Sequence, residues 1–272
     1  MGGPVEAARR SAIEAIERDA WESLCRAAPP AIARDLGLEV HRFGGALMTL
    51  CARVDQGQFN RLFGFGTEPK NDPAAIGEAV ARFRAAGLRN PYIQIPPGET
   101  ALEEAAEAAG LVPAKRPWVK FHRAPTDPPR AVTGVETAPV SRANAELFGI
   151  VIAAGFGMPP PMAIWLACLV ERSGWRCYLA WDGGEAIAGA ALYLQNRAAW
   201  LGAGATRPQS RRRGAQSALL ARRIADASLA GATLLTTETG MPLPGEDHPS
   251  YRNIARSGFA VAYERANWGF PG

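Results

Sequence analysis

The densest chemistry in this 272-residue chain lies between Thr206 and Leu220, in Thr206-Arg207-Pro208-Gln209-Ser210-Arg211-Arg212-Arg213-Gly214-Ala215-Gln216-Ser217-Ala218-Leu219-Leu220. The consecutive arginines and the glycine stand at the start of an amphipathic helix. The first amides of a helix have no intrahelical acceptor, and the helix dipole is positive there. Guanidinium groups beside such a terminus make a site for a phosphorylated ligand. Pro208 lacks a donor and pushes Arg207 toward extended geometry, so the preceding strand ends there. Gly214 allows close approach of backbone to phosphate, and the N–H groups from about Arg212 to Ser217 can point at one anion. Two other readings compete: a solvated basic turn that caps a helix, and a nucleotide or nucleic-acid phosphate site. No aromatic-rich basic stripe accompanies the arginines, which argues against nucleic acid.

The elements that must position this turn are legible around it. A strand, Ala199 to Ala205, enters it. The helix that leaves it places Leu220, Ile224 and Ala227 on one face, with Arg222, Arg223 and Asp226 largely on the other, and Gly231 ends it. A buried strand follows from Ala232 to Glu238. Pro249 to Ser257 reads as a short helix stopped by Gly258, and Phe259 to Trp268 as a last strand. Upstream, a strand near Val135 precedes a helix capped by Ser141 and running to about Ala154. Met158-Pro159-Pro160-Pro161-Met162 interrupts it before a second helix to about Arg172. Strands follow at 175–181 and 186–194, joined by Asp182-Gly183-Gly184.

The first half reads as a helix (5–28) closed by Pro29-Pro30, a hairpin (38–43 and 46–54) turning at Gly44-Gly45, and a short strand (62–66). A helix (73–86), a strand (92–95), a helix (100–109) and a strand (118–122) complete it. The punctuation Ala86-Gly87 and Ala109-Gly110 echoes Ala230-Gly231 and Ser257-Gly258, with Trp118 and Trp268 in the closing strands. This predicts a duplicated module whose first copy lost the phosphate loop. The proline-rich stretch 124–129 divides the chain into residues 1–128 and 129–272.

Bulk properties narrow the function classes. Hydrophobic content of 47% and charged content of 21% specify a packed chain rather than a disordered one. The balance is mildly basic, +4, and nearly all of the positive charge is arginine, since Lys70, Lys115 and Lys120 are the lysines. Cys25, Cys51, Cys168 and Cys177 form no C-x-x-C pair, and with His41, His122 and His248 they make no metal-ligand spacing, so no metal is expected. Buried, reduced thiols in a cytoplasmic protein are expected. No apolar run approaches membrane-spanning length, and the charged first helix (Glu6, Arg9, Arg10, Glu14, Glu17, Arg18, Asp19) is unlike a signal peptide.

Arg211-x-x-Gly214-x-Gln216, after a strand and opening a helix, resembles the acyl-CoA signature Q/R-x-x-G-x-G/A of the GNAT (GCN5-related N-acetyltransferase) superfamily. The resemblance covers roughly Val135 to Trp268. Ser250-Tyr251-Arg252-Asn253-Ile254-Ala255-Arg256-Ser257-Gly258-Phe259 looks like that family's last helix and terminal Gly-Phe. The first half resembles, in pattern only, the degenerate N-terminal lobe of tandem GNAT proteins. The resemblance implies an α/β (α+β) fold of two lobes, each a mixed, mostly antiparallel sheet flanked by helices: a degenerate lobe (1–128) and a catalytic acyl-CoA-binding domain (129–272). Two departures stand out. Gln216 occupies the last G/A position, and Ile254 stands where the family often has its general-acid tyrosine.

The implied reaction is direct transfer of an acetyl group from acetyl-CoA to the amine of a small molecule. A protein or peptide amine, or acyl-CoA binding without catalysis, are the alternatives. Cofactor binding falls to Ala203, Gly204, Ala205 and Thr206 on the strand, to Arg211, Arg212, Arg213, Gly214, Ala215, Gln216 and Ser217 in the loop, and to Asn253. The strand should splay from its neighbour and open a slot. Glu238, at the end of that neighbour, is the candidate base, and Tyr251, one turn from Ile254, the candidate acid; His248 is a second base candidate. Acceptor recognition is expected from Phe156 to Met162, with Met158 and Met162 as adaptable apolar surface, and from the 241–247 loop, where Glu246 and Asp247 can attract an amine. Trp165, Trp175, Trp181 and Trp200 read as core. No nucleic-acid or membrane partner is expected, and the chain is expected to be a monomer or homodimer.

Overall fold

The computed structural model describes residues 4–67, 72–130 and 134–272; Lys70 lies outside them. The first half runs α1 (Pro4–Arg26), α2 (Pro30–Leu36), β1 (Leu38–Phe43), β2 (Ala46–Cys51), β3 (Arg61–Phe63), α3 (Ala74–Ala85), β4 (Tyr92–Ile95), α4 (Thr100–Ala108), β5 (Val112–Pro113) and β6 (Trp118–Arg123). The second half runs β7 (Glu136–Pro139), a 3₁₀ turn (Arg142–Asn144), α5 (Ala145–Phe156), α6 (Pro160–Ala167), β8 (Trp175–Asp182), β9 (Glu185–Gln195) and β10 (Ala198–Thr206). A 3₁₀ turn (Pro208–Ser210), α7 (Ala215–Leu229), β11 (Leu234–Gly240), α8 (Pro249–Arg256) and β12 (Ala260–Gly269) complete it.

Local chemistry accounts for most boundaries. Gly183 and Gly184 are both left-handed (φ 56° and 85°) and join β8 to β9 with Asp182 opposite Glu185, the geometry a two-residue hairpin turn needs. Pro29-Pro30 does more than close α1. Pro30 sits in the first turn of α2, where its missing N–H costs nothing, so a second helix stands where the sequence suggested only a break. Likewise Pro160 opens α6, and the helix after the prolines stops at Ala167 rather than near Arg172.

The strands form one mixed, mostly antiparallel sheet in the order β1-β2-β3-β4-β12-β6-β11-β10-β9-β8-β7, with β5 on β12. The closing strand of each half lies in the other half's territory. Strand β6 is antiparallel to both β11 and β12. Strand β12 begins on β6 and ends on β4 and β5, with Ala266 opposite Ile95 and Trp268 opposite Pro113. The ten-residue length of β12 lets one strand cover both edges, which removes two unpaired sheet edges. Three apolar cores result. Helices α3 and α4 cover one face of the first half. Residues of α7 and α8 pack on the second half. The third core joins both halves: Trp21, Leu24, Phe59 and Phe63 pack with Trp165, Leu169, Trp175 and Trp200.

Candidate active site

Strands β10 and β11 pair in parallel only from Ala198/Leu234 to Trp200/Thr236. Beyond that they part. A register shift between Gly202 and Ala205, with Ala203 at φ 48°, bends β10 away from β9 as well, so Ala203 and Gly204 have no register partner there. The gap opens into a cleft of about 1230 Å³ lined by Ala203, Gly204, Ala205 and Thr206 on one side and Thr237, Glu238, Thr239 and Gly240 on the other. Helix α5 closes one flank. It comes so near that a Cβ on Gly155 would lie 2.6 Å from Ala205 Cβ.

At the mouth of this slot α7 presents its N-terminus. Gly214 precedes it at φ 84°, and no side chain caps the helix. Ala218 N–H donates to the Gly214 carbonyl at 3.1 Å, whereas among the described residues nothing accepts from the amides of Arg212, Arg213, Gly214, Ala215, Gln216 or Ser217. Unsatisfied helix amides beside a cleft are an anion site in waiting. Arg211, Arg212, Gly214, Ala215, Gln216 and Ser217 all line the cleft. Arg211 reaches the Gly155 carbonyl at 3.5 Å. Gln216 turns its amide to the Thr206 hydroxyl at 3.0 Å, so its side chain lies back along β10. Arg213 differs from its neighbours: it pairs with Asp182 at 2.8 Å and does not line the cleft.

Glu238 borders the cleft and is rooted in a buried ion cluster. Its Oε2 accepts from Lys120 Nζ at 2.7 Å and from Arg265 Nη2 at 2.9 Å, and Arg61 lies 3.6 Å from Oε1. Glu17 of α1 pairs with the same cations, at 2.5 Å to Lys120, 2.7 Å to Arg265 and 2.9 Å to Arg61. Glu14 holds Arg265 at 2.9 Å and accepts from the Tyr263 hydroxyl at 2.6 Å. Gln94 accepts from both Arg61 and Arg265. The Arg61 guanidinium is stacked on Phe63 at 4.1 Å and Trp21 at 4.5 Å. Glu238 keeps 9% of its side chain exposed, while its partners Glu14, Glu17, Arg61, Lys120 and Arg265 show 0%. Only Glu238 of this cluster therefore meets the cleft. Burial, then the charge of Glu17, pushes the Glu238 carboxyl above its ordinary range, against Lys120, Arg265 and Arg61. Burial also raises Glu17, but there Arg265, Lys120 and Arg61 outweigh it and hold the carboxyl well below that range.

The remaining candidates are dispersed around the mouth. Asn253 and His248 line the cleft. His248 also caps α8, its Nδ1 accepting from Tyr251 N–H at 3.2 Å. The Tyr251 ring packs edge-on against Phe121 (5.3 Å, 70°) and is outside the cleft lining. Glu246 is held by Arg116 at 2.6 Å and by Leu243 N–H at 2.9 Å, and Asp247 is paired with Arg252; neither carboxylate is free. Phe156 and Met158 reach the cleft, but Met162 is fully buried. Trp165 is core and donates to the Leu24 carbonyl at 2.6 Å. Trp175 and Trp200, although 6% and 4% exposed, border the cleft from within the core.

Two contributors escaped sequence reasoning. Arg223 is not on the solvent side of α7. It is 3% exposed and donates to the carbonyls of Ala191, Gly202 and Leu219, satisfying the carbonyl at the bulge; burial lowers its pKa to about 10. The i, i+4 step from Leu219 to Arg223 was the available signal. The second is the first half itself, which supplies Trp21, Gln58, Phe59, Arg116 and Trp118 to the cleft wall.

No family model matches the chain, and no curated protein matches it significantly. Solved structures do. A GCN5-related N-acetyltransferase from Kribbella flavida is 19% identical and aligns over 96% of this chain and 95% of its own, with a TM-score of 0.60. A GCN5-related N-acetyltransferase from Sphaerobacter thermophilus is 16% identical over 98% and 93%, TM-score 0.57. A tandem GNAT protein from the clavulanic acid biosynthesis pathway is 13% identical over 96% and 93%, TM-score 0.56. Across nearly its whole length, therefore, the chain has the fold of the GCN5-related N-acetyltransferases, including the tandem kind.

Proposed function

We propose that this protein is an N-acetyltransferase that moves an acetyl group from acetyl-CoA to the amine of a small molecule by direct attack. One observation carries the reading: the amides of Arg212, Gly214, Ala215, Gln216 and Ser217, for which the described residues provide no acceptor, belong to residues that line the same cleft as Arg211 and a buried carboxylate, Glu238. The donor set fits a diphosphate, which needs many N–H groups and cations and no carboxylate beside it. When bound, acetyl-CoA supplies an activated acyl carbon and a thiolate leaving group. The amides of residues 212–217 with Arg211 and Arg212 would hold the phosphates. Ala203 and Gly204, without register partners, offer backbone donors and acceptors to the amide-bearing arm. Glu238 would take the proton from the acceptor amine, directly or through water, which is favoured by a carboxyl raised above its ordinary range. The acceptor side is walled by Trp21, Phe59 and Trp118 of the first half, and such enclosure suits a small molecule better than a chain of protein.

Calorimetric titration of CoA tests this. Saturable binding at micromolar concentration is expected. Arg211→Ala and Arg212→Ala should each weaken it about tenfold or more, the scale of one charge-assisted hydrogen bond, while Arg213→Ala, whose guanidinium is turned to Asp182, should change it less than threefold. Absence of binding, or equal effects of all three, contradicts the site. CoA binding without turnover of any amine would reduce the protein to an acyl-CoA-binding one.

A further inference from the structure

Resting on the acyl-transfer reading above, we infer that the acceptor is an aromatic primary amine whose ring seats on the aromatic part of the cleft wall. Both halves of the chain build that seat. A cleft of about 1230 Å³ exceeds the roughly 300–1,000 Å³ typical of a single-ligand pocket, so an acceptor has room beside the donor. The lining combines two chemistries. One is the arginines and helix amides. The other is a set of rings, Trp21, Phe59 and Trp118 from the first half and Phe156, Trp175 and Trp200 from the second. The rings already stand edge to face: Trp21 and Trp200 at 6.4 Å and 62°, Trp175 and Trp200 at 6.3 Å and 88°. A further ring can extend such an array favourably.

The charges argue against a polycationic acceptor. Glu238 and Asp247 are the carboxylates on the cleft wall among the described residues. Asp247 is taken by Arg252. In the buried cluster Glu14, Glu17 and Glu238 are matched by Arg61, Lys120 and Arg265. Arg252 is balanced by Asp247 and Arg116 by Glu246, so no carboxylate on the wall is left for a second ammonium group. A polyamine or aminosugar lacks a counter-ion there. A single nitrogen on an apolar ring, deprotonated beside Glu238, needs none.

Acetyl transfer at saturating acetyl-CoA tests the inference with 2-phenylethylamine and tryptamine against hexylamine and spermidine. The aromatic amines should exceed hexylamine about tenfold in kcat/KM, and spermidine should be poorer still. Trp118 is half-buried on β6, so Trp118→Ala spares the core. It should raise KM for 2-phenylethylamine about tenfold and KM for hexylamine clearly less, with Trp118→Phe restoring the parent value; an equal rise for both amines overturns the inference. Should that variant fail to fold, Phe156→Ala carries the same comparison, Phe156 being 40% exposed. Tryptophan fluorescence of the CoA complex should respond to 2-phenylethylamine and not to spermidine. A better rate with spermidine overturns the inference, as does CoA binding with no turnover of either aromatic amine. So does a gain with hexanoyl-CoA that Trp118→Ala abolishes, which would give the rings to the acyl chain. Failure to bind CoA at all is a different result and falls on the acyl-transfer reading itself.

Discussion

Glu238 illustrates how one carboxylate of a buried cluster meets a cleft that its neighbours do not reach. It and Glu17 draw on the same three cations, and Glu14 on Arg265, yet only Glu238 touches the cleft. Burial and the Glu17 charge raise its proton affinity; Lys120, Arg265 and Arg61 oppose this. A base with a raised pKa works only once deprotonated, so activity should climb with pH along a limb placed above the ordinary carboxylate range near 4.3. Glu238→Gln should lower kcat/KM about a hundredfold and abolish that limb, with CoA affinity unchanged. A full pH–rate profile that keeps its acid limb in the variant would remove Glu238 as base. At this scale the sequence was an uneven guide. Glu238 and the arginine turn were legible because a strand end and a helix start are local facts. Arg223 was not, because its burial depends on carbonyls of β9 and β10 that a bulge leaves exposed.

Elements decide how firmly the site is held. The first helix carries Glu14, Glu17 and Arg18 among its charges. In the structure Glu14 and Glu17 are fully buried and Arg18 nearly so, because α1 lies over the sheet where β3, β6, β11 and β12 aim Arg61, Lys120, Glu238 and Arg265 upward. Removing one member of a buried ion cluster leaves an uncompensated charge and costs about 3–5 kcal/mol, whereas an exposed i, i+4 pair contributes about 0.3–0.5 kcal/mol. Lys120→Met should therefore lower stability in urea unfolding by roughly 3 kcal/mol or more. Arg82→Ala, which breaks the exposed Glu78 pair at 3.0 Å, should lower it by less than about 1 kcal/mol. Similar losses for both variants would mean that the cluster is hydrated and behaves as surface charge.

For the whole molecule, the exchange of closing strands matters most. Strand β6, from the first half, lies between β11 and β12, and β12 returns to β4. The cleft wall, the ion cluster and the Trp-rich core all draw on both halves. A fragment of residues 129–272 would expose the β11 edge, strip Lys120 and Glu17 from Glu238, and uncover Trp175 and Trp200. We expect it to show no cooperative thermal transition and to aggregate, as unpaired edges and large apolar patches do. A sharp calorimetric transition and CoA binding by the fragment would show instead that the second half stands alone.

Sequence alone determined the local grammar: Pro208 and Gly214 ending a strand and opening α7, the Asp182-Gly183-Gly184 hairpin, and the duplicated punctuation at Gly87, Gly110, Gly231 and Gly258. These follow from φ preferences, missing donors and apolar period, which act over a few residues. Tertiary structure alone decided which charges left water and that both halves wall the cleft. Glu17 and Lys120 are 103 residues apart, and Glu17 and Arg265 are 248 apart. No local pattern encodes such partners; they meet only because β6 and β12 cross between the two halves of one sheet.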